Sequence, residues 1–166
     1  VGATNYRNEL IDYQGVKQVS ENNGEIGRNY SPTSVGPRLD GYQKPDVCAP
    51  GSNVASSMNS FFLEQQGDKY DFWDKERFQT DGRTYAYGVM SGTSMSSPMV
   101  AGIIALWLQA NPNLTPQDIK GIIQRTSKHP DTSLSYPNPI YGYGEIDASA
   151  GLLDILGISN IEAISK

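Results

Sequence analysis

Hydroxyl side chains are concentrated in the segment SGTSMSSP (91–98), which runs directly into an apolar stretch ending at Ala110. A serine hydroxyl becomes a nucleophile when a base takes its proton and N–H donors stabilise the oxyanion that forms. The free N–H groups at the start of a helix are donors of this kind. Ser94 lies where such a helix begins, so the segment is a candidate site for nucleophilic catalysis.

The same hydroxyl groups have a structural explanation as helix caps. Ser and Thr side chains accept hydrogen bonds from the first N–H groups of a helix, and proline is favoured at the first helical position. On these rules Ser97 is the N-cap and Pro98 is the first helical residue. Because hydroxyl caps are far commoner than catalytic serines, helix rules alone favour the structural explanation.

Three helices are predicted in the second half of the chain. Residues 100–110 are apolar on nearly every face, which predicts a helix buried all round. Thr115 followed by Pro116 provides an N-cap and a first residue for an amphipathic helix that runs to about Ser127. A final helix is predicted over residues 148–156.

Short apolar stretches between turns predict the strands, which are expected at residues 1–4, 47–49, 54–58 and 84–90, with a further extended segment at 141–146. Residues 5–30 are polar and contain Asn-Asn-Gly, which predicts a surface excursion or a loose hairpin. Residues 59–83 mix aromatic and charged side chains without a clear period and are interpreted as a second insertion containing one helical turn. Strands separated by helices predict a largely parallel sheet covered by helices, and therefore an α/β fold.

Length and charge limit the classes of protein to which the chain can belong. Its 166 residues suffice for one domain with a real core, and its net charge of -5 has the wrong sign for binding a phosphate backbone. We therefore expect no nucleic-acid partner. The longest apolar run is too short to cross a bilayer. The single Cys48 excludes an internal disulfide and is interpreted as a small buried residue rather than a nucleophile.

Acidic side chains are grouped in the second insertion, at Asp68, Asp71, Asp74 and Glu76. Oxygen ligands of this kind can bind calcium, although the spacing lacks the pattern of an EF-hand loop. A solvated acidic loop is the simpler interpretation. No cofactor is assigned from the sequence, and structural calcium stays open.

Three motifs resemble signatures of the subtilisin-like serine proteases, also called subtilases or peptidase family S8. The first is GTSMSSP (92–98) followed by VAG (100–102), in which the serine after Gly-Thr is the nucleophile of the family. The second extends from VGP (35–37) to KPDVCAPG (44–51), and the third is GYGEIDA (142–148). The motifs occur in the order and at the distances of that family, so the resemblance extends over most of the chain.

The resemblance implies a partial three-layer subtilisin-like α/β fold, with a mostly parallel sheet flanked by helices. Residues 1–156 would be the C-terminal portion of the catalytic domain, interrupted by the insertions at 5–30 and 59–83, and residues 157–166 a C-terminal tail. The helix would begin at the nucleophile, which puts Pro98 inside it. Ser94 would then be the catalytic nucleophile and supply one oxyanion donor, while Ser91, Gly92 and Thr93 would bind substrate.

The other catalytic groups of the family are not recognisable in the sequence. A serine protease needs an imidazole base and a carboxylate that orients it, and subtilisins carry them in the order Asp, His, Ser. His129 is the only histidine, follows the serine and lacks the context of the family's base, so it is interpreted as a loop residue after a helix end. The base, its carboxylate and the oxyanion asparagine are therefore expected upstream of Val1.

These inferences imply a serine endopeptidase acting on proteins or peptides, whose C-terminal fragment is inactive alone. Its partner would be the N-terminal portion of the same domain, and without it one side of the 100–110 helix would be exposed. The family also implies secretion or a place in the cell envelope. Two alternatives stay open, namely a non-catalytic pseudopeptidase or binding module, and a complete hydrolase that uses Ser94 with His129.

Overall fold

Two short buried strands form the centre of the fold in the computed structural model, which describes residues 1–66 and 73–158. Strand β1 (Gly2–Thr4) pairs in parallel with β4 (Cys48–Pro50), so that Ala3 lies opposite Ala49. Both alanines are fully buried. Their small side chains let the long helix α2 (Thr93–Ala110) pack directly on the pair.

The other strands form two antiparallel sheets. Strands β2 (Glu9–Ile11) and β3 (Lys17–Val19) make a hairpin, which confirms the hairpin predicted within residues 5–30. Strands β5 (Val54–Ser57), β6 (Asp74–Thr80) and β7 (Arg83–Met90) form a three-stranded sheet with β7 in the middle. In the described part of the chain, parallel pairing between named strands is therefore confined to β1 and β4.

The second insertion is more structured than the sequence indicated. We predicted one helical turn, whereas the structure has helix α1 (Ser60–Gln66) and then β6. Strand β6 has the sequence DKERFQT and buries only its first residue, so it shows no alternation of apolar and polar side chains. Its pairing with β7 holds it in place instead. Residues 67–72 of this insertion lie outside the described residues.

Helices α3 (Pro116–Thr126) and α4 (Ala148–Leu156) agree with the predicted positions. Thr115 and Asp118 form a reciprocal capping box at the start of α3, and Pro116 is its first residue. The Asp147 carboxylate caps α4 by accepting hydrogen bonds from the next turn. Sequence-local caps define both helices, which explains why the sequence located them. Of the predicted tail, residues 159–166 lie outside the described residues.

Helix α2 provides most of the contacts that hold the helices to the strands. Its Trp107 is 1% exposed, and the indole Nε1–H donates to the carbonyl of Ala148 at 3.0 Å. The core around it consists of Val47, Ala49, Val100, Ile122, Ile123 and Ile146. One buried cluster therefore contains residues of β4, α2 and α3, and the indole of Trp107 connects it to the start of α4.

One face of α2 is exposed, contrary to the prediction that this helix is buried all round. The exposed residues on this face are Ala101, Gly102, Ala105 and Leu106. Leu106 alone is 58% exposed. The opposite face carries Val100 and Trp107, so the described residues cover one face of this apolar helix and leave the other exposed. The exposed side implied by the family resemblance is therefore confirmed. No helix among the described residues has both the length and the apolar character needed to cross a bilayer.

A Gly151→Ala substitution is expected to lower the free energy of unfolding by about 1 to 3 kcal/mol, because overpacking a rigid site strains its surroundings. A Cβ atom at Gly151 would lie 2.0 Å from Cζ2 of Trp107. Denaturant unfolding of the intact protein measures the loss. Gly121→Ala in α3 is the control, because a Cβ there meets only the flexible end of Arg125 at 3.1 Å. Equal stability of the two variants would contradict the packing described for α4.

Candidate active site

Ser94 is the second residue of α2 and its side chain is exposed. The helix begins at Thr93, so the prediction of Ser97 as N-cap and Pro98 as first residue is wrong. Pro98 lies inside the helix, as the family resemblance implied. Since proline has no N–H, it cannot bond to the carbonyl of Ser94 one turn earlier.

The N-cap of α2 is Gly92, and no side chain caps this end of the helix. Its backbone has φ 140° and ψ 171°, a conformation that side-chain-bearing residues rarely adopt. The first N–H groups of a helix have no carbonyl one turn earlier to bond to, and they form the positive end of the helix dipole. The Ser94 N–H belongs to this group. An exposed hydroxyl and a backbone N–H donor therefore occur together at Ser94.

Hydrogen bonds to the end of β4 fix the position of this turn. The N–H of Gly92 donates to the carbonyl of Gly51 at 2.7 Å. The hydroxyl of Ser96 is fully buried and donates to the carbonyl of Ala49 at 2.9 Å. Ser96 thus faces inward while Ser94 faces solvent, two residues apart on the same helical turn. The neighbouring serines have different environments, which their shared residue type did not reveal.

The three predicted substrate-binding residues lie immediately before Ser94. Ser91 is exposed, and Gly92 and Thr93 are partly exposed. They join the end of β7, where Met90 pairs with Val54 of β5, to the start of α2. The three-stranded sheet therefore leads directly into the turn that carries Ser94, the predicted nucleophile.

Asn53 is a residue of this site that the sequence analysis did not identify. It precedes β5, is 3% exposed, and has a left-handed backbone with φ 49°. Its N–H donates to Oγ of Ser91 at 2.8 Å. The only local signal is an asparagine that follows a Pro-Gly turn, because asparagine tolerates this backbone conformation better than most residues.

His129 lies in the loop after α3, as predicted. Its ring stacks on Tyr136 with the centroids 3.9 Å apart and the planes 4° from parallel. Within the described ranges, no hydrogen bond or ion pair joins His129 to Ser94. The structure therefore offers no general-base contact between these two residues.

Cys48 is buried in β4, and its Sγ donates to the carbonyl of Ile140 at 3.6 Å. Burial raises the pKa of this thiol to about 12. A thiol that stays protonated at neutral pH is a poor nucleophile, which agrees with the interpretation of Cys48 as a small buried residue.

The acidic cluster of the second insertion is only partly described. Asp68 and Asp71 lie outside the described residues. The side chain of Asp74 is 1% exposed, and its carboxylate accepts from Nε of Arg77 at 2.9 Å. The solvated-loop interpretation is therefore wrong for Asp74. Among residues 1–66 and 73–158, no three His, Cys, Asp or Glu side chains come together as a metal site would require, and we derive no role for calcium.

Comparisons with known proteins agree with the motifs at this site. The family model described as "Subtilase family" matches residues 1–144. Serine protease AprX of Bacillus subtilis is 40% identical over 120 residues, which cover 70% of this chain and 23% of AprX. Proprotein convertase subtilisin/kexin type 5 of Rattus norvegicus is 40% identical over 135 residues, which cover 69% of this chain and 7% of that protein. The chain thus spans less than a quarter of each relative.

Two solved structures have a similar fold. The CspB protease of Clostridium perfringens has a TM-score of 0.55 at 24% identity, over 78% of this chain and 24% of that chain. Fervidolysin of Fervidobacterium pennivorans, described as related to subtilisin, has a TM-score of 0.53 at 26% identity, over 91% of this chain and 18% of that chain. The expected subtilisin-like α/β fold is confirmed.

The different environments of the serines predict different effects of their removal. Ser96→Ala is expected to lower the free energy of unfolding by about 1 kcal/mol, because it deletes a buried hydrogen bond. Ser97→Ala removes an exposed hydroxyl of the same helical turn and is expected to change the free energy of unfolding by less than about 0.5 kcal/mol. Denaturant unfolding of the intact protein compares the two. A larger loss for Ser97→Ala would contradict the described geometry.

Proposed function

The chain belongs to the subtilase family, and from that premise we propose that it is the C-terminal part of the catalytic domain of a serine endopeptidase. Ser94 is the nucleophile of this enzyme, which hydrolyses peptide bonds in proteins or peptides through an acyl-enzyme. The observation that carries the proposal is the exposed Ser94 hydroxyl at the first turn of α2, whose N-cap is a glycine without a side-chain cap.

The proposed reaction uses Ser94 in two ways. A general base removes the hydroxyl proton while Oγ attacks the scissile carbonyl, and the oxyanion that forms accepts a hydrogen bond from the Ser94 N–H. The protonated base then gives its proton to the departing amine, which leaves an ester on Ser94. A water molecule, activated by the same base, hydrolyses this ester. Ser91, Gly92 and Thr93 border the cleft in which the substrate lies.

The base, its orienting carboxylate and the second oxyanion donor are proposed to lie upstream of Val1. Two observations support this division of the site. His129 is stacked on Tyr136 rather than bonded to the nucleophile. In addition, the apolar face of α2 around Leu106 is exposed, as expected for a surface that the N-terminal portion of the domain covers. By this proposal the isolated segment is inactive.

Secretion or a place in the cell envelope is proposed from the family alone. One relative, which is 32% identical over 130 residues, is named minor extracellular protease Vpr of Bacillus subtilis.

The second candidate function is a non-catalytic relative, which has kept the fold and the serine but lost the base. Chemical labelling of the nucleophile separates these two candidates, because only an activated serine reacts quickly.

A fluorophosphonate probe is expected to label the intact protein at Ser94. Ser94→Ala should abolish labelling, whereas Ser97→Ala, which removes an exposed hydroxyl one turn further on, should leave the rate unchanged. Residues 1–158 alone should react at least about 1000-fold more slowly, because loss of the base removes most of the rate enhancement. Mass spectrometry of the labelled peptide identifies the modified serine.

Two outcomes of this labelling contradict parts of the proposal. An intact protein that stays unlabelled would favour the pseudopeptidase. Labelling of residues 1–158 alone that disappears in His129→Ala would favour a complete hydrolase that uses His129. On the proposal made here, His129→Ala in the intact protein keeps the wild-type labelling rate within about twofold.

Leu106→Asp is expected to destabilise the intact protein by about 3 kcal/mol or more, because it puts a charge on a face that the N-terminal portion covers. Ile26→Asp is the matched control. Ile26 is 57% exposed and Leu106 is 58% exposed in this segment, but Ile26 lies in the polar 5–30 insertion. Thermal unfolding measures both variants. If both substitutions lower the stability equally little, this face of α2 is open to solvent in the whole protein, which would contradict the proposal.

A further inference from the structure

A buried asparagine joins the nucleophile turn to the 5–30 insertion. Asn53 lies between the turn at the end of β4 and the start of β5. It is 3% exposed, and its φ of 49° is one of two positive values at non-glycine residues in the described ranges. A buried polar side chain on a strained backbone needs specific partners to be stable.

The first partner of Asn53 is Ser91, three residues before the nucleophile. The Asn53 N–H donates to Ser91 Oγ at 2.8 Å. The Ser91 hydroxyl in turn lies 3.2 Å from Oδ1 of Asn53, to which it donates. Ser91 is itself exposed, so water could satisfy its hydroxyl without this contact. The Ser91 hydroxyl therefore does not need these two bonds to satisfy its hydrogen-bonding groups, and their effect is to restrain the surface turn.

The remaining polar groups of Asn53 bind the 5–30 insertion. Its Nδ2 donates to the carbonyl of Arg7 at 3.1 Å and lies 3.1 Å from Oγ of Ser20. The Arg7 guanidinium returns a hydrogen bond from Nε to the carbonyl of Asn53 at 2.8 Å. Arg7 and Ser20 lie on either side of the β2–β3 hairpin, so both ends of this hairpin are attached to Asn53.

These contacts matter for Ser94 because Gly92 separates it from Ser91. A glycine at φ 140° has a broad range of accessible conformations, and only its neighbours can select one. The Gly92 N–H is held by Gly51 at 2.7 Å, and Ser91 is held by Asn53. Together the two restraints hold the backbone that leads into Ser94, whose N–H and hydroxyl must be placed to within a fraction of an ångström for fast catalysis.

We infer that Asn53 is a positioning residue of the nucleophile, acting through Ser91, and that the 5–30 insertion serves as its support. The inference rests on the proposed role of Ser94. An asparagine suits this position because it combines a donor, an acceptor and tolerance of positive φ. Aspartate lacks the Nδ2 donor toward Arg7, and alanine lacks both groups and the conformational tolerance.

The main test replaces Asn53 by glycine in the intact protein, which deletes the side chain but keeps the positive φ unstrained. Asp81→Gly is the matched control, because Asp81 has φ 51° in the exposed turn between β6 and β7. Asn53→Gly is expected to lower the rate of fluorophosphonate labelling and kcat for a chromogenic peptide by about tenfold. KM should change by less than about threefold, and Asp81→Gly should leave all three values unchanged.

A second test approaches the same contact from the exposed side, where folding is at little risk. Ser91→Ala should slow labelling at least as much as Asn53→Gly, because it removes both bonds between these residues, whereas the glycine keeps the N–H that donates to Ser91 Oγ. Ser91→Thr should restore most of the rate because it keeps the hydroxyl. The double variant should be no slower than Ser91→Ala, since the Asn53 side chain acts through the Ser91 hydroxyl that this change removes. If the substitutions only lowered the stability of the protein, their effects on the labelling rate would multiply, and Ser91→Thr would not restore the rate.

The outcomes separate this inference from the proposed function. Fast labelling of Asn53→Gly, or single-variant losses that multiply in the double variant, would overturn the inference and leave Ser94 as the nucleophile. A wild-type protein that does not react at Ser94 would overturn the proposed function, and the positioning role with it.

Discussion

The contact between the end of β4 and the first turn of α2 is the constraint on which the site depends. The Gly51 carbonyl accepts from the Gly92 N–H, and the Ala49 carbonyl accepts from the buried Ser96 hydroxyl. These bonds hold a helix N-terminus over the edge of a parallel strand pair. Without them the first turn of α2, which carries Ser94, would lose two of its attachments to the strands. The chemistry proposed for Ser94 therefore depends on the backbone geometry of two short segments.

Helix α2 joins this site to the hydrophobic core. Its first turn carries Ser94, its middle rests on β1 and β4, and its last turns place Trp107 among α3 and α4. A rigid helix transmits position over this distance because its backbone bonds are satisfied internally. One apolar face nevertheless meets solvent in this chain. The described residues thus cover one face of the helix and leave the other open, which is the observation behind the proposal that a further part of the domain covers it.

The sequence located those elements whose signals are local. Thr115 and Asp118 predict the start of α3. A hairpin does occur within residues 5–30, but its turn lies between Ile11 and Lys17 and not at the Asn-Asn-Gly from which it was predicted. Strand β6 was missed because pairing with β7, rather than burial of its own side chains, stabilises it. Helix rules placed the start of α2 too late because Pro98 is typical of a first turn, and only the family resemblance corrected this. Asn53 was missed because its importance comes from Ser91, Arg7 and Ser20, which are distant in sequence.

The two antiparallel hairpins have a consequence for how this protein can diverge. Their bases are tied to Asn53 and to the nucleophile turn, whereas the tip around Gln14 and Gly15 and the tip at Asp81 and Gly82 are exposed. Lengthening a loop at such a tip costs little free energy, since loop entropy grows only slowly with length. Insertions and deletions at these tips can therefore alter the outer surface while the turn that carries Ser94 stays in place. The geometry at Ser94 and the surface around it can be inherited as separate traits.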